Sequence, residues 1–506
     1  MNQSPAGAPT ARFRVAVIGA GFGGIAAAVA LQRQGFGDVT MFEKADGIGG
    51  TWWHNRYPGA ATDAASTIYS YSFAPFDWHR THVGHADLRA YLEHVVDTFG
   101  LRPHLRLGVG VRSVVWDEAL AAYRVTLDKG EPQLFEAVVS AVGLFGKPRW
   151  PTWPGLASFA GPVLHTAQWP EDTTLDGKRI AVVGTGSSAA QVVPALVGRV
   201  QHLTLFQRQP GWLLPKFDRD LFPWQRRLLR NPVLRRLYRL KLYLAQEIRE
   251  WNGRFFKPGS TPNTKAREAA LAYIATVFKD RPDLRAMVTP DYPLAGKRTV
   301  VSSDFYPAML RPNLTLVPKA VASCTPDGLT DADGHHHPVD AIVLCTGYEA
   351  TRYLSGLDLV GREGRRLHDI WGDEPHAFCG LMMPGFPNFF MLYGPNTNGG
   401  FTITNFEHQA RFIAHELRRL ARRGLRTVEV STEATERYNA WLQGRMAGTA
   451  FVDAQNYFKA PSGRVVTQWP DNATQYALRL GGLRRFGRWR VPDGTGAHPA
   501  TRTASP

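Results

Sequence analysis

Two stretches of this chain share one pattern, and together they constrain its fold more than anything else in the sequence. Arg14 to Gly24 reads RVAVIGAGFGG, and Arg179 to Ala189 reads RIAVVGTGSSA. Each is an apolar strand that turns on glycines into a helix, the opening of a βαβ unit that seats a dinucleotide pyrophosphate on a helix N-terminus. In the first, the strand is expected over Phe13 to Ile18 and an alanine-rich helix over Ile25 to Gln34, ended by Gly35. Gly19, Gly21 and Gly24 allow, in turn, a tight turn, close approach of backbone to pyrophosphate, and close packing of helix on strand. The next strand, Val39 to Phe42, ends at Glu43, which stands 19 residues past Gly24, where a carboxylate accepts hydrogen bonds from ribose hydroxyls. A lone GxGxxG is weak, and this strand, turn, helix and acid raise it to a dinucleotide site.

The second stretch repeats the pattern with one change of sign. Gly184, Gly186 and Ala189 take the glycine positions, and the strand His202 to Gln207 ends at Arg208, again 19 residues beyond the third small residue. A carboxylate there would repel a 2'-phosphate, whereas a guanidinium binds it bidentately, so this site is expected to prefer NADPH to NADH. The first site is then assigned FAD and the second the electron donor.

Length and composition narrow the class. At 506 residues the chain is expected to hold roughly three domains with sizeable cores. Its 44% hydrophobic and 20% charged content is ordinary for a globular protein, and no apolar run reaches the ~18 residues that cross a bilayer. The start, MNQSPAGAPTARF, lacks a signal-peptide core, so a cytoplasmic address is expected. Cys324, Cys345 and Cys379 form neither a disulfide framework nor a metal or CxxC motif. The net charge of +16 is spread along the chain, and bound dinucleotides would neutralise part of it, so nucleic acid is not the expected partner.

Residues 1–12 read as a disordered lead-in and the Gly-, Ala-, Thr- and Pro-rich end beyond Pro492 as a disordered tail. From about 213 to 296 the alternation stops and a helical insert is expected, with leucines, aromatics and many arginines at three- and four-residue spacing. Within it, 219–250 could lie on a membrane surface or receive an acidic carrier, but a helical insert with a solvated basic face is the favoured reading. Strand signals return at Leu314 to Val317 and Ala341 to Cys345, and Phe406 to Arg423 reads as a helix. The run His335, His336, His337 lacks a partner cluster and is expected as a solvated turn before a strand.

Between the two loops lies FAGPVLHTAQWP, Phe159 to Pro170, in which Phe159, Gly161, His165, Trp169 and Pro170 are spaced as FxGxxxHxxxWP. Gly49 to Asp63, GGTWWHNRYPGAATD, matches GGxWxxxxYPGxxxD at every specified position. Both motifs resemble the fingerprints of the Baeyer-Villiger monooxygenases, and with the two loops the resemblance spans roughly 13 to 400. N-hydroxylating and sulfur-oxidising flavin monooxygenases share the loops but usually carry a different aromatic at Trp169-Pro170. The resemblance implies an α/β fold with two Rossmann-like doubly wound dinucleotide-binding domains, one for FAD and one for NADPH, and the helical insert. DAIVLCTGYEA, from Asp340, resembles the strand leading back into the FAD domain, and GFPNFFMLYGPNTN, from Gly385, its last strand and the loop passing near the flavin ring. The implied division is a discontinuous FAD domain over 13–148 and 335–445, an NADPH domain over 149–334, and a C-terminal loop and basic tail over 446–506.

The resemblance also implies site residues. Glu43, Thr51, Trp52, Trp53, His54, Asp63, Tyr69 and the Val111 backbone would line the FAD site with the glycines. Thr185, Gly186, Ser187, Ser188, Ala189, Gln191, Arg208, Gln209 and Lys297 would line the NADPH site. PDYPLAGKR, Pro290 to Arg298, resembles the family's lysine-arginine motif, which makes Arg298 the active-site arginine and Asp63 the carboxylate that orients it. The implied reaction uses NADPH and oxygen to convert a ketone to an ester or lactone through a peroxyflavin that must stay anionic. A group that is always cationic stabilises such an anion without surrendering a proton. The alternatives are nitrogen or sulfur oxygenation on the same fold, an NADPH-dependent flavin oxidase or reductase that makes peroxide, or a non-catalytic nucleotide-bound interaction protein. His165 reads as a structural coupler in the hinge rather than a base, since catalysis needs a group beside the flavin. Where many of these enzymes carry a tryptophan in a C-terminal mobile loop, this chain has Asn456-Tyr457-Phe458.

Overall fold

The apolar strands VAVI and RIAVV each become the centre of a five-stranded parallel sheet. The computed structural model describes residues 13–486, so the lead-in over 1–12 and the tail beyond 486 lie outside the described residues. The first sheet runs, in spatial order, Phe389–Met391, Ala137–Ser140, Val15–Ile18, Val39–Glu43 and Leu105–Leu107. The second runs Leu314–Val317, His202–Phe206, Arg179–Val183, Ala341–Leu344 and Val163–His165. Every pairing in both is parallel. Strands buried on both faces must be apolar nearly throughout, which is why they read as runs rather than alternations.

Helix Phe22–Arg33 follows the first strand and packs along the 21-residue helix Thr402–Arg422. Helix Ala189–Val197 takes the corresponding place on the second sheet. An antiparallel pair of strands, Val111–Asp117 and Ala122–Leu127, leads a four-stranded sheet beside the first unit.

Three expectations are corrected. The Ala341–Leu344 strand is not the return into the first unit but an inner strand of the second sheet, hydrogen-bonded on both sides. The division expected at 334/335 therefore falls inside the second unit, because a parallel sheet buries its inner strand on both edges. The histidine run is not a solvated turn: His336–Pro338 is a strand, and His337 Nε2 lies 2.9 Å from Asp331 Oδ2. Within the insert, helices Pro223–Arg230, Pro232–Glu250, Thr261–Val277 and Pro282–Val288 form as expected. The outward side of Pro232–Glu250, however, is not basic throughout but carries an apolar stripe beside exposed Arg236 and Lys241.

Candidate active site

A cleft of about 1570 Å³ gathers residues from both sheets and from the insert. A pocket for one drug-sized ligand measures roughly 300–1,000 Å³, so this space admits more than one ligand. Gly19 and Gly21 lie on one wall and Gly186, Ser187 and Ser188 on another. Gly19 sits at φ +107°, and a Cβ there would stand 2.7 Å from the Ala141 carbonyl oxygen. Gly24 faces its own strand instead of the cleft, where a Cβ would fall 1.8 Å from the Gly19 oxygen, so the helix lies as close to the strand as backbone allows. Neither helix Phe22–Arg33 nor Ala189–Val197 has a side-chain N-cap among the described residues. Their first-turn amides suit a phosphate.

Glu43 is buried at the end of its strand, and its carboxylate accepts from the Ala20 amide at 2.8 Å and the Ala45 amide at 2.9 Å. Trp52 Nε1 donates to Tyr69 Oη at 3.1 Å, and Thr51, His54 and Val111 complete that wall. Burial, followed by the Lys44 charge, lowers the His54 pKa. Trp53 stands outside the cleft: Arg89 lies 4.3 Å above its ring, and the ring leaves no room for a side chain at Gly47. The residues around the first loop thus fit a dinucleotide, with amides for its phosphates and a buried carboxylate for a ribose.

Arg208 is exposed at the matching strand end, and no hydrogen bond or ion pair engages its guanidinium among the described residues. Lys297 stands near enough that burial and the Arg208 charge both lower its pKa, and its ammonium donates to Gln209 Oε1. Gln209, Thr185 and Ala189 do not line the cleft, and Thr185 Oγ1 donates to the Gln209 carbonyl at 3.2 Å. Two adjacent cations facing a cavity fit an anionic group such as a nucleotide phosphate.

The ion pair between Arg298 Nη2 and Asp63 Oδ2, 2.5 Å long, joins residues 235 positions apart across the two units. Burial opposes ionisation of Asp63, but the Arg298 charge and hydrogen bond outweigh it and hold its pKa below the usual carboxylate range. Asp63 in turn raises Arg298. Arg298 keeps 42% of its side-chain surface open, and that residue lines the cleft.

The sequence named the loops around this pair but not the contacts they make, and it missed Lys216. Lys216 adds a second positive charge near Asp63. Asn456 Nδ2 donates to the Gly296 carbonyl at 2.8 Å, tying the C-terminal loop to the chain just before Arg298. Tyr457 lines the cleft from the same loop and is partly exposed. Tyr393, a non-glycine residue at φ +60°, donates from Oη to Asn398 Oδ1 at 2.6 Å and faces the same cavity. Strain of that kind persists only where surrounding structure enforces it. The signal available was the loop sequence YGPNTN, whose resemblance implied a loop near the flavin ring but not the part taken by Tyr393.

The YPG motif forms the joint between the units. Tyr57 Oη donates to Gln191 Oε1 at 2.8 Å, Gln191 Nε2 donates to the Ala61 carbonyl at 2.8 Å, and a Cβ at Gly59 would meet the Gln191 carbonyl oxygen at 2.5 Å. His165 is buried, its Nδ1 accepts from the Ala167 amide at 3.0 Å, and Nε2 reaches Thr346 Oγ1 at 3.2 Å. With Nδ1 accepting, the proton belongs on Nε2, and both nitrogens are satisfied within the fold. Trp169 lies in the apolar core of the second sheet with Leu164 and Ile180, away from the cleft.

A family model described as "Flavin-binding monooxygenase-like" matches residues 12–255. A Baeyer-Villiger monooxygenase from Streptomyces coelicolor is 39% identical over 469 residues, covering 92% of this chain and 90% of that protein. One from Pseudomonas aeruginosa is 36% identical over 479 residues, covering 93% and 90%. Among solved structures, cyclohexanone monooxygenase from Rhodococcus sp. Phi1 bound to NADP+ superposes with a TM-score of 0.86 at 29% identity, covering 94% of this chain and 98% of that one.

Proposed function

The chain belongs to the Baeyer-Villiger monooxygenases within the flavin-binding monooxygenase-like family, and from that premise we propose which of its residues carry the reaction. It is an FAD-dependent enzyme that uses NADPH and oxygen to convert a ketone to an ester or lactone. Bound FAD and NADPH supply hydride transfer and oxygen activation, while the protein supplies position and charge. The glycine loop at Gly19 and the acid Glu43 hold FAD. The loop at Gly184, with Arg208 and Lys297 toward the 2'-phosphate, holds NADPH. In this reading the FAD unit comprises 13–148 with the chain beyond Leu344, and the NADPH unit comprises 149–344.

Arg298 is assigned to the negative charge that the reaction develops beside the flavin ring. A guanidinium cannot neutralise that charge by giving up a proton, and its stabilisation would be large once bound nucleotides fill the cleft and exclude water. Asp63 fixes the guanidinium in place, and the Asn456 loop holds the backbone that carries it. The Arg298–Asp63 pair reaching across the two units at the shared cleft is the observation that carries this assignment.

The test is product analysis. Purified FAD-loaded protein is incubated with NADPH, oxygen and a panel of ketones, amines and thioethers, and product masses are recorded beside peroxide. The expected result is an ester or lactone from at least one ketone with little peroxide. Oxygenation confined to amines and thioethers, or peroxide whatever is added, would overturn the reading.

A further inference from the structure

The insert presents a surface that the oxygenation chemistry does not use. Helix Pro232–Glu250 is turned inside out. On its inner side Arg239 Nη1 donates to the Thr67 carbonyl at 2.5 Å, Tyr243 Oη bonds Thr474 Oγ1 at 2.8 Å, and Glu247 accepts from the Ala473 and Thr474 amides at 3.1 and 2.9 Å. Polar groups thus fasten the helix to the body. On its outer side Val233, Leu237, Leu240, Leu244 and Ile248 follow one another at three- or four-residue steps and are 58%, 56%, 49%, 46% and 72% exposed. Residues three and four apart share a helix face, so these form one stripe. Helix Pro223–Arg230, packed against its start, extends the surface with Phe222, Trp224 and Leu228, which are 55%, 60% and 48% exposed.

About half of the exposed large hydrophobic side chains among the described residues lie between Phe217 and Trp251. Concentration on that scale marks an interaction surface, where scattered apolar residues would not. Arg227, Arg236 and Lys241 are exposed beside it, and none has an acidic partner among the described residues. Arg226 and Arg230 are spent on Asp77, which ties the short helix to the first unit.

We propose that this face docks on an anionic lipid bilayer, with the leucines and aromatics in the headgroup–acyl boundary and the free cations on acidic headgroups. Charge favours a bilayer over a second copy, because an isologous contact sets each surface against its own kind and so brings the same cations together. No helix among the described residues is long and apolar enough to cross a membrane, so the contact is peripheral. The last turn of the same helix puts Gln246, Arg249 and Glu250 into the cleft wall. On the functional reading above, the docked face therefore stands beside the cavity that would receive an apolar ketone dissolved in the bilayer.

Flotation of the full-length, FAD-loaded protein with vesicles tests this, and binding is read without turnover, so a docking failure and a catalytic failure are separately visible. The protein is expected to float with phosphatidylcholine–phosphatidylglycerol vesicles at low salt, less as salt rises, and far less with phosphatidylcholine alone. Leu240→Glu with Leu244→Glu should lower the bound fraction about tenfold or more, and Arg236→Glu with Lys241→Glu should remove the preference for anionic vesicles. Both variants change exposed positions and should retain turnover of a water-soluble ketone. Absence of flotation with either vesicle would overturn the proposal. So would a wild-type dimer in sedimentation equilibrium that the Leu240→Glu, Leu244→Glu variant breaks while neither protein floats, which would assign the face to a second copy.

Discussion

The two parallel sheets share the order of four strands around a central strand and differ in the fifth, which comes last in the chain in the first sheet and first in the second, and their first glycines take equivalent positions. Gly19 at φ +107° meets the Ala141 carbonyl, and Gly184 at φ +117° meets the Cys345 carbonyl, each at a distance no Cβ tolerates. The units part company at the end of the next strand. Glu43 is buried and holds two backbone amides, whereas Arg208 is exposed and holds nothing among the described residues. The acid is thus part of the fold as well as of the site proposed for it, while the base serves no internal contact among the described residues. The shared four-strand core therefore places two residues proposed to recognise nucleotide at equivalent points with different structural costs of removal.

The largest effect expected from that contrast is at Glu43. Glu43→Ala leaves the Ala20 and Ala45 amides without their acceptor, at a cost of roughly 2–5 kcal/mol in stability. Denaturant unfolding and flavin content per chain should show a weakened protein that loses FAD on purification. A variant that keeps wild-type stability and its flavin would break the comparison. At the other sheet, Arg208→Ala should leave stability within about 0.5 kcal/mol. It should raise the Michaelis constant for NADPH roughly ten- to a hundredfold, with little change for NADH, as loss of a charge-assisted phosphate contact of about 1.5–3 kcal/mol requires. Equal effects on both nucleotides would remove the basis for assigning the phosphate to Arg208.

Glu250 sharpens the contrast from a third position. It is buried like Glu43, but it accepts from side chains only, from Gln246 at 3.0 Å and Arg249 at 3.3 Å, and its Oε2 has no partner among the described residues. Burial pushes its carboxyl up from an ordinary 4.5 to about 7. A pKa raised on folding favours the folded state below the unfolded value and loses that advantage as pH rises through the folded one. Stability should therefore fall between about pH 4.5 and 7 through this group, and Glu250→Gln should flatten that fall by about 1–3 kcal/mol. A thermal-unfolding profile against pH that is unchanged by the substitution would contradict it. The smallest effect belongs to the joint: Tyr57→Phe removes the bond to Gln191 and should cost about 1 kcal/mol in unfolding free energy. No measurable loss would mean that the joint rests on packing at Gly59 instead.

The sheets were legible in the sequence because their strands are buried on both faces, which leaves runs such as VAVI and IAVV that few other structures explain. Glu43 and Arg208 were legible because the βαβ unit fixes a spacing. The walls around Arg298 were legible only in part: the loops holding Tyr393 and Asn456 were marked by their resemblance, but their bonds to Asn398 and Gly296, and the Lys216 charge on Asp63, arise only after the chain closes over long separations. The insert shows a different limit. Its periodicity gave a helix with an apolar stripe, but period alone does not say whether the stripe faces protein or solvent, and here Arg239 and Glu247 take the inner side. Similarly, Ala341–Leu344 was recognised as a strand, while its neighbours, which decide the unit it joins, are set by tertiary pairing.

The central claim is that Arg298, clamped by Asp63 between the two nucleotide units, serves oxygen insertion and not nucleotide binding alone. Arg298→Ala tests it most directly, with flavin content, rate of flavin reduction by NADPH, ester formed and peroxide released measured on one preparation. The prediction is about wild-type flavin content and reduction, ester turnover lower by about 10²- to 10³-fold, and NADPH oxidation diverted to peroxide. Ester formation at the wild-type rate with no added peroxide would contradict it and leave Arg298 as a nucleotide contact.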